Sequence, residues 1–216
     1  ALKALDGADL IVIPLSGEGR SSVAEAILGG RIDGRPVVRL VFPMTRDAGR
    51  RDDSLKKQIA ACRLMWKGAG TVVMPVLGDA ALYATAAYLC RAWREIEPSL
   101  ELEIIPGVSA HSLASARAGR FLAQDDEILA VVPGTAGEGR VADILRTADV
   151  AALFKPSALK NRLRDVVSSS GPWGGVVRVD RAGLPGERLH EGESALDAPE
   201  EYLSTLILWR NDAKNL

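Results

Sequence analysis

Short apolar runs bounded by glycine, proline or acids alternate with stretches of helical spacing along the whole chain. The strand-like runs are "LIVIP" (10–14), "VVRLVF" (37–42), "TVVMPVL" (71–77), "LEII" (102–105), "ILAVV" (128–132), "VAALF" (150–154), "VVRV" (176–179) and "LSTLILW" (203–209). Strands alternating with helices predict an α/β fold with largely parallel sheets, and eight strands suggest two sheets. Between the second and third runs, "DDSLKKQIAACRLMWKGAG" places Leu55, Ile59, Cys62 and Trp66 on one helical face, opens with acids and stops at glycines. Helices are also expected over 21–29, 80–95, 109–118, 138–147 and 157–169. Strand and helix patterns restart on either side of "PGVSAHS" (106–112), which predicts two α/β domains, 1–112 and 113–216.

Composition narrows the functional classes. With 27 basic and 28 acidic side chains, no global field draws the chain to nucleic acid or to an anionic membrane, so an anionic partner has to be met by a local basic patch. Cys62 and Cys90 are too few for a disulfide framework and fit a reducing compartment. No apolar run approaches the roughly 18 residues of a membrane span, so a cytoplasmic protein is expected. No ligand set suggests a metal site.

Four strand exits carry small residues: "PLSGEGRSS", "VLGDAALYAT", "IIPGVSAHS" and "VVPGTAGEGR". In a parallel α/β sheet, ligands settle at the carboxyl ends of the strands, where glycine lets backbone approach closely. The plain reading of each turn is strand exit plus helix cap, with Asp79, Ser109 and Thr135 as capping side chains. None is a GxGxxG or ends in GK[ST], and "FPMTRD" has no acid placed for a dinucleotide ribose, which leaves a nicotinamide-dependent reductase as a weak alternative. Asp79 repels phosphate but accepts hydrogen bonds from sugar hydroxyls or an amino group. S-adenosylmethionine, a cationic nucleoside without phosphate, suits such a turn.

These residues resemble the tetrapyrrole (class III) methyltransferases. The family's GDPxxYxT is similar to "GDAALYAT" and its PGVSS to "PGVSA", while one branch of the family carries stretches like "VFPMTRD" and "RAGLPGERL". The order of the motifs runs from about residue 3 to 209. Ala80 stands where the family has proline, and His111 where the branch often has an aromatic residue. The family opens with a strand and a GxGPGDP loop, and the sequence begins at "ALKAL", the segment that follows them. Either that opening precedes Ala1, or it has been lost and the chain is a non-catalytic tetrapyrrole or nucleoside binder.

The resemblance implies two α/β domains with a cofactor cleft between them, a homodimer, and S-adenosylmethionine as cofactor. The implied activity is C-methylation of carbon 20 of precorrin-2, or of cobalt-factor II, in cobalamin biosynthesis, with another tetrapyrrole methylation as the alternative. Carried over by motif, Leu77, Gly78, Asp79, Leu82, Ser109 and Ala110 line the cofactor, with Phe154 and Ala182 from the second domain. Tyr83 and Thr85 are motif residues with a packing role. Methyl transfer to an electron-rich carbon needs alignment more than a protein nucleophile. The general base is left unassigned, with His111 and Tyr83 as candidates. The substrate's carboxylates call for guanidinium or ammonium partners, and Arg46, Arg117, Arg120, Lys155, Arg181 and Arg188 lie near expected loop edges. Each of these is equally readable as part of a solvated face.

Overall fold

How the apolar runs become buried strands is visible in the computed structural model, which describes residues 1–45 and 47–211. The chain divides into two units, Ala1–Gly107 and Val108–Leu216. In the first, α1 (Leu2–Asp6) leads into β1 (Leu10–Leu15), followed by α2 (Val23–Leu28), β2 (Val37–Val41), α3 (Ala48–Ala61), α4 (Arg63–Lys67), β3 (Val72–Val73) and α5 (Ala86–Ile96). The three strands form a parallel sheet in the order β2-β1-β3, with Ile11 beside Val37 and Leu10 beside Val72. Leu10, Val12, Val38 and Leu40 face Leu55, Ile59, Trp66, Leu89 and Trp93 of the helices. Ile11 and Ile13 point the other way, onto Leu5 and Ile32. Each such side chain contributes about 1.5–3 kcal/mol by leaving water. Trp66 meets Trp93 edge-on at 5.5 Å and donates its indole N–H to the Ile59 carbonyl at 2.9 Å.

Three expectations change in this unit. The strand expected over 71–77 narrows to Val72–Val73, since Pro75 has no N–H with which to extend a ladder. "LEII" (102–105) forms no strand among the described residues, and Leu102 and Ile104 are exposed. The helix expected from 80 begins at Ala86, because Tyr83 (φ 51°) takes left-handed backbone that a helix cannot include.

The second unit contains α6 (Ala110–Arg117), β4 (Leu129–Pro133), α7 (Glu138–Thr147), β5 (Val150–Phe154), α8 (Leu163–Ser170), β6 (Gly175–Asp180), β7 (Arg188–Glu191), α9 (Glu193–Asp197) and β8 (Ser204–Trp209). Its sheet runs β4-β5-β8-β6-β7. Only β4 and β5 are parallel; β8 lies antiparallel between β5 and β6, and β7 pairs antiparallel with β6. The expectation of largely parallel sheets therefore holds for the first sheet and fails for the second. Hydrophobic content reports burial on both faces, which β8 has along its whole length, and carries no information on direction. Strand β7 escaped notice because "RLHE" is a mostly exposed edge. The helix expected over 157–169 is a 3₁₀ stretch (Pro156–Arg162) followed by α8, and Thr135 sits inside a 3₁₀ turn (Gly134–Ala136) instead of capping a helix. Leu206, Leu208, Ala151 and Leu153 pack on α7 and α8, while Ile207, Trp209, Val177 and Val179 pack on Ala114 of α6. Among the described residues, no helix is long and apolar enough to cross a membrane.

Candidate functional site

In the first unit the chain leaves β3 through Met74–Leu77 and turns at Gly78, whose φ of 80° favours glycine. Asp79 closes the turn: its Oδ1 accepts the Ala81 N–H at 2.9 Å and lies 3.5 Å from the Gly107 nitrogen, while its carbonyl accepts the Leu82 N–H at 3.4 Å. The "PG" of the second motif reaches the same place. A Cβ on Gly107 would stand 2.1 Å from the Gly78 carbonyl oxygen, so the two backbones touch where no side chain fits. Leu77 is 39% exposed and Tyr83 44%, while Leu82 is half-buried, so apolar side chains lie open along a turn that also carries a carboxylate.

In the second unit Ser109 takes the N-cap position of α6, with φ −65° and ψ 147°, and Ala110 opens the helix. His111, one residue on, meets the Phe154 ring edge-on at 5.7 Å. Phe154 ends β5, and Lys155 continues in left-handed backbone (φ 54°, ψ 52°). Beside it, a Cβ on Gly134 would lie 2.5 Å from the Lys155 carbonyl oxygen, so the exits of the parallel neighbours β4 and β5 also meet at a glycine. The half-buried Lys155 has no hydrogen-bonding or ion-pairing partner for its ammonium among the described residues. Ala182 is half-buried against the β6–β8 core and opens a loop stitched by two turns, Leu184 N to Arg181 O at 2.9 Å and Glu187 N to Leu184 O at 3.1 Å.

The cations fall into distinct groups. Arg46 lies outside the described residues. Arg120 lies over the Trp209 ring at 4.3 Å, donates to the Asn211 carbonyl at 3.1 Å and presses on Gly175, so it is engaged in holding the unit together. Arg117 pairs with Glu187, its Nε 2.8 Å from Oε1 and 3.1 Å from Oε2. Arg188 stands 3.6 Å from both Asp180 and Glu201 and is half-exposed. Arg181, at φ 53°, donates Nε to the Pro185 carbonyl at 2.9 Å.

Two acids here were not singled out by sequence. Glu187 accepts the Gly183 N–H as well as the Arg117 bond, and these two, the backbone bond first, hold its carboxyl below the usual range. Asp180 is 1% exposed and takes Arg178 Nε at 2.7 Å and Nη2 at 3.2 Å; His190 Nε2 stands 3.3 Å from it without hydrogen-bond geometry. Burial pushes the Asp180 carboxyl up, but the bonds from Arg178 and Ser204 and the nearby cationic groups outweigh it and set it below the ordinary value. Only the "RAGLPGERL" resemblance pointed near either acid.

A family model described as Tetrapyrrole (Corrin/Porphyrin) Methylases matches residues 1–196. The cobalt-precorrin-2 C(20)-methyltransferase of Salmonella typhimurium is 29% identical over 218 residues, covering 96% of this chain and 88% of the relative. The probable cobalt-precorrin-2 C(20)-methyltransferase of Methanocaldococcus jannaschii is 29% identical, covering 97% of this chain and 88% of the relative. Among solved structures, uroporphyrin-III C-methyltransferase from Thermus thermophilus complexed with S-adenosylhomocysteine shares the fold at a TM-score of 0.65 and 15% identity, covering 97% of this chain and 90% of that one.

Proposed function

The chain belongs to the tetrapyrrole (corrin/porphyrin) methylase family, and from that premise we propose that it is an S-adenosylmethionine-dependent methyltransferase acting on carbon 20 of precorrin-2 or cobalt-factor II in cobalamin biosynthesis. The observation that carries this reading is the near full-length likeness to the Salmonella typhimurium relative, whose name gives a C(20)-methyltransferase of cobalt-precorrin-2. The Gly78–Asp79 turn fits the cofactor: a carboxylate able to take hydroxyl or amino donors, two backbones in contact, and open apolar side chains at Leu77 and Tyr83. When bound, S-adenosylmethionine supplies an electrophilic methyl whose transfer breaks the methyl–sulfur bond, forms a carbon–carbon bond and leaves a proton to be lost from the substrate carbon.

The protein's share is binding and orientation, worth roughly 7–11 kcal/mol in favourable cases. Leu77, Gly78, Asp79 and Leu82 are the first unit's proposed cofactor contacts; Ser109, Ala110, Phe154 and Ala182 are the second unit's. For the substrate's carboxylates, Lys155 is the strongest candidate, because it is half-buried with no internal partner. Arg181 and Arg188 retain donors beyond their internal contacts and join it, with Arg46 proposed from sequence only. Arg117 and Arg120 rank below these for the substrate, because Glu187 and the Trp209 ring already engage their guanidinium groups. The base that receives the substrate proton stays unassigned. We also propose a cytoplasmic homodimer, on the family resemblance and on the prevalence of symmetric pairs among oligomers.

Incubation with S-adenosylmethionine and either substrate should release S-adenosylhomocysteine in step with a gain of one methyl per tetrapyrrole. Cofactor binding with no turnover of either substrate would favour the non-catalytic binder.

A further inference from the structure

The loop from Arg181 to Glu187 is fixed to α6 at two points on one helical face. Ser109, Leu113 and Arg117 follow one another at intervals of four residues and so line one side of the helix. Against Leu113 the loop presents Gly183, where a Cβ would lie 3.0 Å from the leucine Cδ2 and where φ is 72°. Against Arg117 it presents Glu187, whose two carboxylate oxygens straddle the guanidinium Nε. The same carboxylate turns back to accept the Gly183 N–H, closing the loop on itself at the point where it touches the helix. Ala182 adjoins Gly183, and Ser109 and Ala110 begin α6.

The geometry points to Glu187 as a positioning residue that locks the Ala182 loop to α6, so that the second unit's two proposed cofactor segments are held as one preformed piece. This inference rests on the S-adenosylmethionine reading. Glu187 is not itself a cofactor contact, because both of its oxygens are taken within the unit. A loop shaped before binding spares the ordering entropy that a mobile one loses when its ligand arrives. Arg117 is thereby the helix-side half of the lock, in place of the substrate-binding role expected from sequence.

The test compares Glu187→Ala, Glu187→Gln, Arg117→Ala and the exchanged pair Arg117→Glu/Glu187→Arg with wild type. It uses calorimetric titration of S-adenosylhomocysteine, thermal unfolding, and amide exchange of the ligand-free proteins. Glu187→Ala should weaken binding by about tenfold, the scale of losing a charge-assisted hydrogen bond that shapes a site, with little change in Tm. Glu187→Gln should retain part of the affinity, since its carbonyl still accepts from Gly183. The exchanged pair should not recover, because it restores the ion pair but leaves the Gly183 N–H with no acceptor. Gly183 amide exchange should quicken in Glu187→Ala without ligand. Wild-type affinity in Glu187→Ala, a loss that only follows Tm, or unchanged Gly183 exchange would each overturn the positioning role. Absence of binding by wild type would instead remove the cofactor reading, while the exchange data still report on the lock itself.

Discussion

Gly107 touches Gly78: a single carbon added to Gly107 would lie 2.1 Å from the Gly78 carbonyl oxygen. Backbone cannot yield at that distance without moving the turn that carries Asp79. Gly107→Ala should therefore cost about 1–3 kcal/mol of stability, the usual scale of overpacking, and weaken S-adenosylhomocysteine binding by more than tenfold. Urea unfolding and calorimetric titration check the two parts. Gly78→Arg should abolish binding outright by filling the space the cofactor would take.

Asp79 offers a cleaner separation of charge from shape. Asp79→Asn keeps an acceptor for the Ala81 N–H, so the turn and the unfolding midpoint should hold. If the carboxylate meets cofactor donors, affinity should still fall by about tenfold, the difference between charged and neutral acceptors. Equal affinity in the two proteins would place the cofactor elsewhere.

The substrate cations divide by their partners. Lys155→Ala and Arg181→Ala should each raise the tetrapyrrole KM by about tenfold, the loss of one charge-assisted pair, with S-adenosylhomocysteine affinity nearly unchanged. Arg120→Ala should instead lower stability, since its guanidinium stacks on Trp209, and should leave KM in place. His111→Ala should matter less than Lys155→Ala. Steady-state kinetics on the four variants decide it, and a dead histidine variant beside an active lysine variant would show that proton transfer carries the reaction.

Buried charge sets an acid limit. Arg178 is 3% exposed and Asp180 1%, and Arg178 also donates to the carbonyls of Ala198 at 3.0 Å and Pro199 at 2.6 Å. Asp180→Ala leaves that guanidinium buried without its carboxylate and should cost about 3–5 kcal/mol. In wild type the folded-state value of Asp180 is depressed, so its contribution is full above the ordinary carboxylate value of about 3.9 and is lost as pH falls through the lower folded value. Denaturant midpoints measured from pH 6 down to about pH 2 should show this acid loss, and Asp180→Asn should lack it.

Much of this architecture was legible because burial writes itself into apolar runs: Leu10–Leu15, Val150–Phe154 and Ser204–Trp209 form strands close to where the sequence places them. Strand direction was not legible, since β8 is as apolar as a parallel strand would be. The Gly78–Asp79 turn stood out through its motif, but its contact with Gly107 joins residues 28 apart or more and needs coordinates. Candidate cations were the hardest to sort. Arg117, Arg120 and Lys155 look alike in sequence, and only their partners, Glu187, Trp209 and none among the described residues, separate them.

The most direct measurement is the position of the transferred methyl. Reaction of the full chain with S-adenosylmethionine carrying an isotope-labelled methyl, on precorrin-2 and on cobalt-factor II, followed by nuclear magnetic resonance of the product, should give one labelled methyl at carbon 20. Label at any other carbon would contradict the assigned reaction, and no label from either substrate, with S-adenosylhomocysteine still bound, would contradict catalysis itself.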